Sequence, residues 1–219
     1  MKRNSLLLIF LALTLVCFAQ RNRLKHEKWG IAAKAGVSLF DGDIPQKNAD
    51  PKFAVAAAVD YYFIPQVGFI AEYFYTPIGA DLPNFKFSGN VQSTTLYVSV
   101  NVLNIFYPHR APTWNVFING GVGLSFYDTK STVSPYSLPQ EISDNSLTYP
   151  VELALEYNFN HWWSVMGGVQ YRFQAKDNFE AMRDKQGNSN DGLYVTTIAL
   201  KYKFHERPRS SYGKSNFCR

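Results

Sequence analysis

Eight stretches of this chain alternate apolar and polar side chains for ten to fifteen residues at a time: Trp29–Leu39, Phe53–Phe63, Val67–Thr76, Gln92–Phe106, Trp114–Tyr127, Leu147–Tyr157, Trp162–Gln174 and Gly192–Phe204. A period of two puts one set of side chains on each face of an extended strand. Soluble strands usually run about five or six residues, whereas a tilted strand that crosses a bilayer needs about 9 to 11. No heptad, helical period or short internal repeat competes with the alternation. The chain therefore reads as all-β, and the length of its runs favours a membrane barrel over a soluble sheet.

The connections alternate between short and long. "IPQ", "YPHRAPT" and "NFNH" are tight, whereas Phe40–Lys52, Pro77–Val91, Asp128–Ser146 and Ala175–Asp191 are long and polar. In outer-membrane barrels short turns lie on the periplasmic side and long loops outside the cell. The expected fold is an eight-stranded antiparallel up-and-down transmembrane β-barrel over residues 29–204, with both chain ends in the periplasm.

The two faces differ in kind. One carries Val55, Ala57, Val59 and Tyr61; Phe69, Ala71, Tyr73 and Tyr75; Leu96, Val98, Val100 and Val102; Val151, Leu153, Leu155 and Tyr157; Val165, Gly167, Val169 and Tyr171, with no charge among them. The other carries Lys34, Asp60, Glu72, Glu152, Glu156, Arg172, Lys201 and Lys203, with Ser99, Asn101, Asn119, Ser164 and Gln170. Four positive and four negative groups on one face predict ion pairs across a narrow interior, since buried charges are tolerated when paired and hydrogen-bonded. An eight-stranded barrel is just wide enough for side chains to fill it, and Phe74, Tyr97, Phe117, Met166 and Arg172 are bulky enough to do so.

The soluble rival is a lipocalin-like barrel with an apolar interior and a wet exterior. Eight charges over eight long strands is sparse for a surface in water. The aromatics point the same way: Trp29, Trp114, Trp162 and Trp163, with Tyr202 and Phe204, all fall at strand ends on the expected periplasmic side. Amphipathic rings gather where an apolar core meets headgroups, so these six residues are expected to form a periplasmic girdle.

The amino-terminal segment has the order of a secretory signal peptide: Lys2 and Arg3, an apolar run from Leu6 to Val16, then "CFAQ". Cleavage after Ala19 would leave residues 20–28 as a periplasmic segment and Cys218 as the one cysteine, so no disulfide could form within a mature chain. Bulky Val16 argues against lipidation of Cys17. The chain carries a formal net charge of +5, much of it in the signal peptide and in residues 205–219, with no basic patch interleaved with aromatics, which argues against nucleic-acid binding.

"GVSLFDGDI", "NVFINGGVGLSFYD" and "NDGLYVTTIALKYKF" resemble the amino-terminal barrel of OmpA-like outer-membrane proteins, particularly those of Bacteroidota-type bacteria. The resemblance implies insertion by the outer-membrane assembly machinery, which reads a terminal strand ending in an aromatic residue; Leu200, Tyr202 and Phe204 fit that signal. It also implies a peptidoglycan-binding domain after the barrel, and here only the basic tail with Arg207, Arg209, Lys214 and Arg219 follows. Similar small barrels serve as accessory subunits of outer-membrane complexes, including type IX secretion and nutrient-uptake assemblies.

The search for chemistry yields little. His26, His109, His161 and His205 all fall on the expected periplasmic side, away from an outer-leaflet substrate, which leaves Asp41, Asp43, Asp81, Glu141, Asp144 and Glu180 as bases outside. Glu152 and Glu156 lie roughly 13 Å apart along a strand, beyond the ~5 to 9.5 Å of paired-carboxylate catalysis. "DGDIPQKNAD" lacks the spacing of a calcium loop, and "NGGVG" lacks the lysine and hydroxyl residue of a phosphate loop. The expected role is non-enzymatic and without cofactors: an integral outer-membrane barrel, in contact with lipid, acting as a structural or accessory component with protein partners. An outer-membrane lipid-modifying enzyme and a small pore stand as alternatives.

Overall fold

All eight alternating runs become strands, and the last strand pairs with the first. The computed structural model describes residues 28–41, 51–82, 85–107, 113–133, 140–175 and 192–204. In chain order these form β1 (Trp29–Asp41), β2 (Lys52–Ile64), β3 (Val67–Leu82), β4 (Phe85–Asn101), a one-turn helix α1 (Val102–Phe106), β5 (Trp114–Val133), β6 (Gln140–Asn158), β7 (Trp163–Gln174) and β8 (Gly192–Phe204). Each strand pairs antiparallel with its sequence neighbour, and β1 pairs with β8 from Trp29↔Phe204 to Asp41↔Gly192. That ladder closes the barrel and removes the edges an open sheet would expose.

The pleat sorts the side chains. Even-numbered residues of β1, β2, β3, β6 and β7, and odd-numbered residues of β4, β5 and β8, point inward and are mostly buried. A slip of one residue in any ladder would turn charges out and apolar groups in, so the register is strongly specified. Close approach requires glycine at inward positions such as Gly36 and Gly121. A Cβ on Gly36 would lie 1.9 Å from the Thr196 carbonyl oxygen on β8, and one on Gly121 would press into the Tyr97 ring at 2.8 Å.

The barrel is lopsided. β3 to β6 run 16 to 20 residues, whereas the other four strands run 12 or 13. The extra length stands at the end carrying the long connections, here the loop end; the opposite end, with the short connections and both termini of the barrel, is the turn end.

Two expectations are corrected here. Pro77–Val91 and Asp128–Ser146, read as long loops, are largely ladder: Pro77 pairs with Asn90 and Leu82 with Phe85, while Asp128 pairs with Ser143 and Ser131 with Gln140. No sustained apolar alternation runs through these stretches in the sequence, so they read as loops. Pro77 falls just past Tyr75, where the β2–β3 register ends, a position that costs no ladder bond on that side. The second correction is the run Gln92–Phe106, which stops being a strand at Asn101. β3 offers no partner before Val67, which pairs with Val100. Asn101 then caps α1, its side chain accepting from the Asn104 amide at 3.2 Å, and Asn104 in turn donates to the Pro65 carbonyl.

Candidate functional site

The lumen is built from opposite charges that the strands bring together from distant parts of the chain. Midway along the barrel, Lys34 Nζ on β1 lies 2.7 Å from Glu72 on β3 and 2.8 Å from Glu152 on β6. Arg172 on β7 pairs with Glu72 from the other side, and its Cζ lies 3.8 Å from the centre of the Phe74 ring. The remaining Arg172 donors are also used: Nη1 bonds Ser93 Oγ at 2.6 Å and Nε bonds Gln170 Oε1 at 2.7 Å. Tyr97 is the hub of this layer. Its hydroxyl donates to Glu72 at 2.9 Å and accepts from Gln170 at 2.6 Å, while Asn119 donates to Glu152 at 2.8 Å.

A second group lies toward the turn end. Lys201 on β8 pairs with Asp60 on β2 at 2.9 Å, and Lys203 pairs with Glu156 on β6 at 2.9 Å. Glu156 also accepts from Ser164 at 2.6 Å and Asn115 at 3.0 Å, and Lys201 sits 5.0 Å from the centre of the Tyr62 ring. Each group sums to zero, two cations against two anions. Removing one partner from such a pair is strongly destabilising because a bare charge stays behind in a poorly solvated interior. Apolar side chains pack around the charges: Tyr62, Phe117, Ala154, Met166 and Ala199 form one cluster, and Phe40, Phe74, Ile78, Val91, Tyr127 and Leu193 belong to another toward the loop end. The lumen is filled rather than open.

The outward wall is apolar between two rings of aromatic residues. At the turn end Trp29 stacks near Tyr61 (4.6 Å between ring centres), Trp114 near Tyr157 (4.7 Å) and Trp163 near Tyr202 (4.9 Å), with Trp162 and Phe204 also against Tyr202. At the loop end stand Phe53, Tyr75, Phe126, Tyr149, Tyr171, Phe173 and Tyr194, of which Tyr171 and Tyr194 approach to 4.5 Å. From one ring to the other is eight residues on β2 (Tyr61 to Phe53), β6 (Tyr157 to Tyr149), β7 (Trp163 to Tyr171) and β8 (Tyr202 to Tyr194). At the rise and tilt of barrel strands this is ~20 Å, close to the apolar band of about 25 Å on bilayer-embedded barrels. No charged side chain among the described residues points outward between the rings.

Sequence reasoning missed the loop-end ring, though the signal was present as aromatics eight residues from the first set and on the same face. It also missed Asn115 as a partner of Glu156. Of the other residues singled out, Asp41 accepts from Tyr171 at 2.9 Å, and His161 lies exposed in the turn before β7. The signal segment, Asp43, Asp50, Glu180, His26, His109, His205, Cys218 and the tail residues Arg207, Arg209, Lys214 and Arg219 lie outside the described residues.

Comparison with known proteins agrees with this architecture. The barrel is similar to Ail, the attachment invasion locus protein of Yersinia pestis, at 14% identity over 82% of this chain and 99% of that chain, with a TM-score of 0.54. Neisserial surface protein A gives 13% identity over 80% and 97%, with a TM-score of 0.54. At these identities the likeness shows a shared fold alone. No curated protein matches. The family model described as "Outer membrane protein beta-barrel domain" matches residues 8–204. With that match over most of its length, a closed eight-stranded ladder and an apolar wall between aromatic rings, the chain belongs to the outer membrane protein beta-barrel family and resides in the outer membrane.

Proposed function

We propose that this protein is a non-catalytic barrel that acts through its outer surfaces, as a structural or accessory subunit of a larger outer-membrane complex of the secretion or nutrient-uptake kind. The observation that carries the reading is the filled lumen. The eight charges Lys34, Glu72, Glu152, Arg172, Asp60, Glu156, Lys201 and Lys203 are consumed in two neutral groups, which argues against a lining of one sign for solute passage and against a free acid or base among them. The resemblance to Bacteroidota-type barrels supports the complex. The turn end, with Trp29, Trp114, Trp162, Trp163, Tyr202 and Phe204, then faces the periplasm, and the basic tail with Arg207, Arg209, Lys214 and Arg219 is the docking point for a periplasmic protein.

The test is purification of the tagged protein from its native outer membrane in mild detergent. Co-migration with larger membrane proteins is expected, reduced when the four tail cations are replaced by alanine. Recovery solely as a free monomer would overturn the complex. Stepwise conductance of the pure protein in planar bilayers would overturn the filled lumen.

A further inference from the structure

The turn-end ring has a gap at β4. Six strands bring outward aromatics to that end, as in the contacts of Trp29 with Tyr61, Trp114 with Tyr157 and Trp163 with Tyr202, and β3 adds Phe69, whose ring lies 5.7 Å from that of Phe63. The last outward residues of β4 are Val98 and Val100, and the strand stops at Asn101. The β4–β5 ladder ends there too, at Asn101↔Phe117, while β5 extends past it to Trp114. α1 follows β4 directly and packs against β5, so it continues the wall where β4 leaves it.

α1 has two unlike sides. Asn104 ties one side to the turn between β2 and β3: its Nδ2 donates to the Pro65 carbonyl at 3.0 Å, and its own carbonyl accepts from Gln66 Nε2 at 3.3 Å. The next three residues, Ile105, Phe106 and the C-cap Tyr107, are 44%, 71% and 63% exposed, and Phe106 is the most exposed large hydrophobic side chain among the described residues. A strand at this position would turn alternate side chains into the lumen. One helical turn, held by its polar side, instead presents three consecutive apolar side chains outward. Their exposed side is continuous with the lipid-facing wall of Val98 and Val100 and level with the ring that Trp114 begins on β5, where aromatic and aliphatic side chains settle at the boundary of hydrocarbon and headgroups.

We propose that α1 is a membrane-binding foot: Ile105, Phe106 and Tyr107 fill the gap in the turn-end ring by entering the headgroup boundary of the bilayer, and lipid is the occupant of this face. The bonds from Asn104 to Pro65 and Gln66 fix the foot to the barrel, so that its apolar side enters the bilayer at the same level as the neighbouring tryptophans.

The test is spin labelling of the full-length protein in phospholipid nanodiscs, with Cys17→Ser and Cys218→Ser as background. Labels are placed by Phe106→Cys, by Leu153→Cys in the middle of the wall and by Ser143→Cys beyond the loop-end ring. Molecular oxygen concentrates in hydrocarbon, whereas a nickel chelate stays in water. With Leu153 as the hydrocarbon reference, the label replacing Phe106 should favour oxygen over the chelate several-fold more than the label replacing Ser143. A ratio equal to that at Ser143 places the foot in water and overturns the proposal. Shielding from both reagents means that protein covers this face, and also overturns it. An independent readout is unfolding from lipid vesicles. Phe106→Ser should lower the folded-to-unfolded ratio about tenfold, because a ring withdrawn from water is lost. An unchanged ratio is the result for a ring that water already surrounds, and overturns lipid contact as well.

Discussion

Lys34 and Glu152 stand 118 residues apart in the chain and 2.8 Å apart across the lumen. Neither has water to fall back on, and the same ammonium also holds Glu72. Lys34→Met should therefore cost about 3–5 kcal/mol, because Glu152 is left with Asn119 and Glu72 with Arg172 and Tyr97. Adding Glu152→Gln removes the stranded charge and should recover at least half of the loss. Urea unfolding from lipid vesicles, followed by tryptophan fluorescence, measures both.

The glycines separate into two kinds. Gly36→Ala brings a methyl to within 1.9 Å of backbone on β8, the strand that closes the barrel. Unheated samples should then lose the compact, fast-migrating gel form that wild type shows before boiling. Gly167 points outward with nothing within 4 Å of a Cβ, so Gly167→Ala should keep that form and raise stability by up to about 1 kcal/mol.

Position relative to the rings sets the cost of an outward charge. Leu153 lies halfway between Tyr149 and Tyr157 on β6 and is 52% exposed to the surroundings of the wall. Leu153→Arg should destabilise by about 2–4 kcal/mol, while Ser143→Arg on the same strand, beyond the loop-end ring, should change stability by no more than about 1 kcal/mol. Equal costs at the two positions would argue that the wall does not meet hydrocarbon.

The four tryptophans report depth. Trp29, Trp114, Trp162 and Trp163 should be quenched more strongly by lipids brominated near the headgroup than by lipids brominated at the chain ends. The reverse order would move the turn-end ring away from the interface.

Much of this architecture was legible residue by residue. Alternation in "LYVTTIALKYKF" assigns Ile198, Leu200 and Phe204 to the outer wall and Lys201 to the lumen, because the pleat leaves only two directions. The turn "IPQ" between two long apolar runs forces a hairpin. The hairpin extensions of β3–β4 and β5–β6 were not legible, because Asp81, Lys86, Asp128, Lys130 and Glu141 interrupt any apolar alternation there. Val102–Phe106 was misread because it is as apolar as a strand; β3 begins at Val67 and leaves it no partner on that side, and the Asn101 cap turns it into a helical turn.

The sequence by itself determined the number of strands, the sorting of side chains between wall and lumen, and the balance of four cations against four anions, since each follows from a period of two along the chain. Only the tertiary structure decided which charges meet. Lys34 finds Glu152 and Glu72, and Lys201 finds Asp60, because closing the β1–β8 ladder in one register brings inward positions from non-adjacent strands within a few ångströms across the lumen. That pairing depends on strand tilt and stagger around the whole barrel, which no single strand encodes.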